Sequence, residues 1–378
     1  MISPATQRNS RLWPFHAALL LFRLTIPVTA QNTGGFDPNC DARVFAIALQ
    51  EDGRIIIGGE FTTVGGMARP KLARLHADGR VDASFNAAAD DSVYTVAVQP
   101  DGKILAGGAF TRMNGKLQRN IARLHPDGSL DKSFRAQAGG PVLAMVGLGN
   151  HKVLVAGAFQ GWAGEPQAGI VRLHSNGSMD LRFNAGADGT VNGLAVQPDG
   201  RILVGGDFTV LGGEPRVGIG RLNPDGALDA TFDPPAIAEE MDALALQPDG
   251  KVLVGGDFEM VGTQPRAGIA RLNGDGSLDD TFDPGAQGFG LHTLVVQPDG
   301  RILVGGFLSE LGGLPVMNIG RLNADGSVDP RFNPGANSAI NTFVVQADGR
   351  ILVGGWFTDL AGQARNYIGR LFDDGTLE

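Results

Sequence analysis

The chain has 378 residues, enough for two average domains or for one closed all-β fold, and carries 57 Gly and 21 Pro beside a 43% hydrophobic content. So much apolar residue, with the glycines recurring at fixed intervals, excludes a disordered low-complexity chain and fits many short strands joined by tight turns. The net charge of −9 is spread along the chain without a basic stripe, which excludes a nucleic-acid binder that must neutralise many phosphates.

In chain order, residues 1–30 read as a cleaved secretory signal. Arg8 and Arg11 give a positive start, Leu12 to Phe22 is mostly apolar, and Val28-Thr29-Ala30 supplies small residues before Gln31. His16 and Arg23 interrupt the apolar stretch without changing its pattern. The mature domain is then 31–378, secreted, periplasmic or on the cell surface. No later run of about 20 apolar residues exists, so no membrane-spanning helix is expected. Cys40 is the single cysteine, so there is no intramolecular disulfide and the apolar core must hold the fold. Cys40 lies ten residues past the cleavage point, too far to be a lipoprotein cysteine, and reads as a buried or loop thiol.

Everything after this segment is periodic. Arg-Leu occurs at 74, 123, 172, 221, 271, 321 and 370, in steps of 49, 49, 49, 50, 50 and 49. Gly-Gly at 58, 107, 205, 255, 305 and 354 keeps the same step, with Ala156-Gly157 as its variant, and so do Phe85, Phe134, Phe183, Phe232, Phe282 and Phe332. The repeat from Val191 to Pro234 holds four strand-like segments: Val191 to Gln197, Arg201 to Thr209, Gly218 to Asn223 and Ala227 to Phe232. Pro198-Asp199-Gly200 and Pro224-Asp225-Gly226 separate the first from the second and the third from the fourth. Pro presets the first turn position and Gly takes the left-handed one. Four short antiparallel strands repeated in tandem are what a propeller blade requires, so the expected fold is an all-β, seven-bladed β-propeller with four antiparallel strands per blade.

The outer turn sets a register. It places Leu222 opposite Leu228 and Arg221 opposite Asp229, and therefore pairs Arg74 with Asp82, Arg123 with Asp131, Arg172 with Asp180, Arg271 with Asp279, Arg321 with Asp329 and Arg370 with Glu378. Seven identical pairs read as scaffold, each an outer-hairpin contact contributing on the order of 0.2–1 kcal/mol. The last repeat stops at Thr376-Leu377-Glu378, before its Phe, and Gly34-Gly35-Phe36 supplies that Phe 49 residues ahead of Phe85. The ring is thus expected to close by the N-terminal segment completing the last blade, leaving no free sheet edge. In the third repeat, Leu148-Gly149-Asn150-His151-Lys152 replaces the usual Pro-Asp-Gly turn and puts His where Gly is needed, so Gly149 or Asn150 is expected to take the left-handed position.

The stretches VQPDGRILVGGDFT at 196–209 and IARLNGDGSLDDTFDPGA at 269–286 resemble the bacterial delta-60 repeat family, and the resemblance covers nearly all of 35–378. The period here is shorter than is usual for that family. The resemblance implies a propeller of exported or cell-surface bacterial proteins and implies no activity, cofactor or catalytic residue.

Catalytic motifs are missing from the sequence: there is no nucleophile elbow, His-Glu-x-x-His pair or phosphate loop. Asn273-Gly274-Asp275-Gly276 has some likeness to a calcium loop but lacks the distal Glu, and it recurs elsewhere as a plain turn. His76, His125 and His174 sit at one equivalent position on different blades, so they form no metal site. No metal and no cofactor is expected.

Specificity should lie where a uniform frame varies. The residue after Gly-Gly reads Glu60, Ala109, Ala158, Asp207, Asp257, Phe307 and Trp356, and the next loop carries Arg69, Arg216, Arg266 and Arg365, with Gln118, Gln167 and Val316 in the other blades. Loops between second and third strands share a face of the disk with the blade-to-blade connections, so Glu60, Arg69, Asp207, Arg216, Asp257, Arg266, Trp356 and Arg365 are the candidate binding residues around the channel. The expected function is a monomeric, non-catalytic scaffold for an unidentified protein or polysaccharide. The alternative is a propeller hydrolase or lyase acting on carbohydrate or lactone with a channel metal, which needs several acids converging from different blades.

Overall fold

The computed structural model of the protein describes residues 35–149 and 151–378; the expected signal, 1–30, lies outside them. The described residues contain strands and turns and no helix, so among them no helix is long and apolar enough to cross a membrane. Seven antiparallel sheets follow one another, each with an inner, a middle and an outer strand in sequence order. In the fourth these are Thr190–Val196, Ile202–Asp207 and Ile219–Leu222. The Gly-Gly-Glu-Pro loop between middle and outer strands is itself a small hairpin, Val210–Leu211 with Glu214–Pro215.

The fourth segment of each blade departs from the expected strand. It makes a single bridge, Leu222 to Leu228 in the fourth blade and its equivalents in all the others, and then turns away. The cause is local. Asp229 accepts hydrogen bonds from Thr231 through both its backbone N–H and Oγ1, and Phe232 N–H closes a turn onto the Asp229 carbonyl at 3.2 Å. This side-chain-stabilised turn ends the strand after one pair and swings Phe232 beneath Arg221.

Apolar clusters fill the spaces between successive blades. One of them joins Ala46, Ile56 and Leu72 of the first blade to Val93, Ile104 and Phe110 of the second. The Gly-Gly pair makes this approach feasible: a Cβ on Gly58 would stand 2.7 Å from Val93 Cγ1 of the next blade, and one on Gly59 would stand 2.1 Å from the Arg43 carbonyl oxygen. Neither position tolerates a side chain. The seventh blade meets the first in the same manner. Leu352 and Ile368 share a cluster with Phe36, Val44 and Ile55, and Phe36 lies under Arg370 with 4.4 Å from the guanidinium carbon to the ring centroid. Phe85 lies under Arg74 in the same way, at 4.8 Å.

All seven expected ion pairs form, and they are buried or half-buried rather than exposed, with both partners buried in four of them. Arg221 Nε stands 2.7 Å from Asp229 Oδ2 with both side chains nearly inaccessible, and each of the other six arginines pairs with its predicted acid. Each arginine also donates Nη1 to a carbonyl in the outer turn of the next blade: Arg123 to Ser175 at 2.5 Å, Arg221 to Gly274 at 2.8 Å, Arg271 to Ala324 at 2.6 Å and Arg321 to Asp373 at 2.6 Å. Arg74 and Arg172 reach the carbonyls of Pro126 and Pro224. That neighbouring turn is what removes the pair from water, so the outer-hairpin estimate of its weight has to be raised.

In the turn at 148–152 Gly149 does not take the left-handed position, and Asn150 lies outside the described residues. His151 itself adopts φ 59°, and Leu148 N–H still donates to the Lys152 carbonyl at 2.8 Å. The hairpin register overrides the preference of the residue. Cys40 is buried, and burial pushes its thiol far above the usual range, so it is chemically quiet.

Candidate functional site: the channel mouth

In every blade the inner strand carries a bulge near its start. In the fourth, Val191 pairs with Gly206 and Gly193 with Gly205, which leaves Asn192 without a cross-strand partner. The equivalent bulge residues are Phe45, Tyr94, Leu143, Asp242, His292 and Asn341. A bulge re-aims its side chain, and here it brings neighbours on successive blades together. Phe45 and Tyr94 rings are 5.5 Å apart, and Asn192 Nδ2 is 3.1 Å from the Met241 carbonyl and 3.5 Å from Asp242 Oδ1. The ring of seven is apolar over the first three blades and polar over the last four.

The residue after Gly-Gly lies beside this ring, because the end of the middle strand pairs with the start of the inner one. Glu60 pairs with Arg43 at 3.5 Å, and the Arg43 guanidinium lies 3.5 Å over the Trp356 ring. Phe307 meets Trp356 edge to face at 5.6 Å and His292 at 5.7 Å. On the other side, Asp207 Oδ1 accepts from Met241 N–H at 3.3 Å, and its Oδ2 lies 3.5 Å from Asn192 Nδ2. The structure thus gathers Glu60, Asp207, Asp257 and Trp356 at one end of the channel.

The four candidate arginines are placed elsewhere. Arg216 reaches Asp233 at 3.4 Å, Arg266 reaches Asp280 at 3.2 Å and Asp283 at 3.6 Å, and Arg365 donates to the Glu378 carbonyl at 3.2 Å, while Arg69 donates to the Ala68 carbonyl. These partners belong to the blade's own small hairpin and to the segment that leaves it. Gln118 shows what the position does: its Nε2 donates to the carbonyls of Ile121 and Ala136 and so ties the outer strand to the connector. These residues brace the rim and do not face the acids of the mouth.

The electrostatics of the mouth differ from those of the outer hairpins, where each repeated acid faces an arginine. Asp242 is 2% exposed. Burial, and then the negative charges of Glu240, Asp207 and Asp257, raise its carboxyl well above the ordinary range. Burial also raises Asp207, against the opposing hydrogen bonds of Met241 and Asn192. Burial pushes the His292 imidazole down to about 3, with a backbone bond at Ile340 opposing. At neutral pH the mouth therefore holds a neutral imidazole beside crowded carboxylates. Among the described residues, no group of three or more His, Cys, Asp or Glu is arranged to hold a metal ion.

Sequence reasoning overlooked the bulge ring. The signal was available: positions 45, 94, 143, 192, 242, 292 and 341 keep the step of 49–50 while their residues change from Phe to Asn, Asp and His.

Comparison with known proteins agrees with this architecture. Solved structures similar to the chain include a streptogramin B lyase, with 16% identity, TM-score 0.53, covering 85% of this chain and 93% of that one. Another is the extracellular domain assigned to a hybrid two component system, BT3049, of B. thetaiotaomicron, with 12% identity, TM-score 0.56, covering 87% of this chain and 41% of that one. The RRP9 WD40 repeats match with 11% identity and TM-score 0.58 over 88% and 96%. Identities this low speak to the fold alone. No curated protein sequence matches the chain. A family profile matches seven times, at 50–85, 99–134, 150–183, 197–232, 247–282, 297–332 and 346–378, and by that match the chain belongs to the β-propeller family described as domain of unknown function DUF5122.

Proposed function

We propose that the protein is an exported, non-catalytic propeller that binds a protein or polysaccharide at the channel mouth bearing Asp207, Asp257, Phe307 and Trp356. One observation carries the reading. Two positions that vary within an otherwise repeated frame, the bulge residue and the residue after Gly-Gly, fall at the same end of the channel. A rigid frame that varies at one concave end is the arrangement expected of a binding surface. Export is supported by the charged, apolar and small-residue order of 1–30 and by the extracellular domain among the similar structures. The delta-60 resemblance is in keeping with both.

The test is binding of labelled protein to arrays of bacterial surface glycans and peptides. Binding should be lost in Trp356→Ala combined with Asp207→Asn, and kept in the rim variant Arg216→Ala. Loss with the rim variant alone would move the site away from the mouth.

A further inference from the structure

The outer turn keeps one shape around the ring while its first two residues change. In the fourth, fifth and sixth blades it opens on Asn223-Pro224, Asn273-Gly274 and Asn323-Ala324. Each asparagine closes its turn with both main-chain groups; Asn273 N–H donates to the Ser277 carbonyl at 2.8 Å, and its carbonyl accepts from Gly276 at 2.9 Å. Two of the side chains are held alike as well. Asn273 Nδ2 donates to Ser277 Oγ at 3.0 Å and Asn323 Nδ2 to Ser327 Oγ at 2.9 Å, both on the exposed surface. What differs is the residue that follows. Pro224 has no N–H, and Ala324 carries a Cβ beside its nitrogen. Gly274 has an N–H and no Cβ, and among the described residues that N–H donates to no acceptor.

The frame does not require this glycine. Its φ is not left-handed, and an added Cβ would meet nothing nearer than the Gly250 carbonyl oxygen, at 3.9 Å. Asn273 is half-buried and Gly274 exposed, so water reaches the peptide bond between them. The chain has three other Asn-Gly pairs, and each is restrained where this one is not. Asn114 has both ends of its amide engaged, Oδ1 by Ala88 N–H and Nδ2 by the Gly128 carbonyl, each at 2.9 Å. Asn176 Oδ1 accepts from Ser178, and Gly177 N–H is committed to the His174 carbonyl at 2.9 Å. Asn192 is buried, and Gly193 pairs with Gly205 inside the sheet.

We infer that Asn273 is a site of spontaneous deamidation. The Gly274 nitrogen attacks Asn273 Cγ, the side-chain nitrogen leaves as ammonia with the proton of the Gly274 amide, and a succinimide ring forms. Water then opens the ring. Attack at the Cγ carbonyl gives aspartate, and attack at the original main-chain carbonyl gives isoaspartate, whose chain runs on through Cγ. Either product exchanges NH for O and carries one more negative charge at neutral pH. Isoaspartate also adds a methylene carbon to the turn and withdraws the carbonyl that holds Gly276 N–H. The next carbonyl, that of Gly274, accepts Arg221 Nη1 at 2.8 Å, so the modification loosens the junction of the fourth and fifth blades.

The experiment ages the full chain in mildly alkaline buffer, digests it with trypsin and locates each deamidated asparagine by fragmentation mass spectrometry. Asn273 should deamidate about tenfold faster than Asn323, a barrier difference of about 1.4 kcal/mol, and should also outpace Asn114, Asn176 and Asn192. In denaturant the four Asn-Gly pairs should converge on one rate, because the restraints on the other three belong to the fold. Gly274→Ala, which the turn accommodates, should bring Asn273 to the rate of Asn323 and leave the thermal midpoint unchanged. Hydrogen exchange of the aged protein should rise at Ile219–Leu222 before the outer strands of other blades. Equal rates at Asn273 and Asn323, a faster Asn176, or an undiminished rate in Gly274→Ala overturns the inference. Unchanged exchange in protein deamidated at Asn273 overturns its link to the junction.

Discussion

Arg370 donates its Nη1 to the carbonyl of Ala77 at 2.7 Å, across 293 residues of sequence, and so joins the outer hairpin of the seventh blade to the outer turn of the first. The same bond links each of the six earlier blades to the one after it, across 52 or 53 residues. A relation that advances one blade at a time and ends where it began describes a closed ring. Every arginine in it also covers a phenylalanine and neutralises a carboxylate, so one side chain fixes blade interior and blade junction together.

Arg221→Ala should therefore be expensive. It leaves Asp229 with only the half-exposed Arg201, at 3.4 Å, and frees the Gly274 carbonyl; removing one partner of a buried pair costs up to roughly 3–5 kcal/mol, and Arg201 offsets part of that. Arg221→Lys should recover little, because a single ammonium cannot serve Asp229, Thr231 and Gly274 in the planar fork they require. Chemical denaturation of the two variants checks this. A loss below about 1 kcal/mol in Arg221→Ala would show that the pair behaves as an exposed one.

Acid should unfold the protein through the same pairs. Burial alone would raise Asp82, but the hydrogen bonds of Ser84 and the charge of Arg74 outweigh it and hold the carboxyl at about 2; Asp131 is held at about 2 in the same way by Ser133 and Arg123. These folded values lie below the unfolded one of about 3.9, so the stability they supply is full above pH ~4 and is lost as pH falls toward ~2. Asp180, Asp229, Asp279 and Asp329 are lowered too and add to the same window. Thermal midpoints measured across this range should fall steeply, and Ser84→Ala should make the fall shallower.

His292 makes a separate contribution at milder pH. Its folded value is depressed to about 3, so its stability is full above the unfolded value of about 6.5 and is lost progressively as pH falls through that interval. Asp242 acts in the opposite sense: its folded carboxyl is raised, so acidification from neutral pH favours the folded state. His292→Gln should thus flatten the loss in melting temperature between pH 6.5 and 4, and Asp242→Asn should steepen it. Differential scanning calorimetry of both variants reads the two effects apart.

The third blade offers a stabilising change. His151 holds φ 59°, a region costing an ordinary residue roughly 1 kcal/mol and glycine little. His151→Gly should raise stability by about 0.5–1 kcal/mol and leave ligand binding unaltered. A destabilised variant would mean that the imidazole makes a contact worth more than the strain.

The sequence carried the architecture because register is written in it directly. The step from Arg74 to Arg370 counts the blades, the Pro-Asp-Gly turn sets Arg221 against Asp229, and Phe36 fits the gap after Glu378. What it concealed depends on neighbours about 50 residues away. Burial of the ion pairs arises from the turn of the next blade, which a single repeat does not display. The truncated fourth strand follows from Asp229 capping Thr231, a contact that competes with an otherwise acceptable strand pattern. The bulge was concealed by the apolar run around it: Val191 to Val196 reads as a continuous buried strand, and only pairing reveals that Asn192 is the extra residue. The rim arginines were grouped with the mouth because variability was treated as function, whereas Gln118 and Arg266 perform one bracing task with different side chains.

Hydrogen exchange at the junction of the first and seventh blades tests the closed ring most directly. In the native protein, amides of Val44–Leu49 and Ile340–Val345 should be as protected as those of the five other inner strands. Phe36→Ala should lower protection at this junction first, by removing the ring beneath Arg370, while the junction between the fourth and fifth blades keeps its rate. Fast exchange at Val44–Leu49 and Ile340–Val345 in the native protein, with the other junctions protected, would contradict the closed ring.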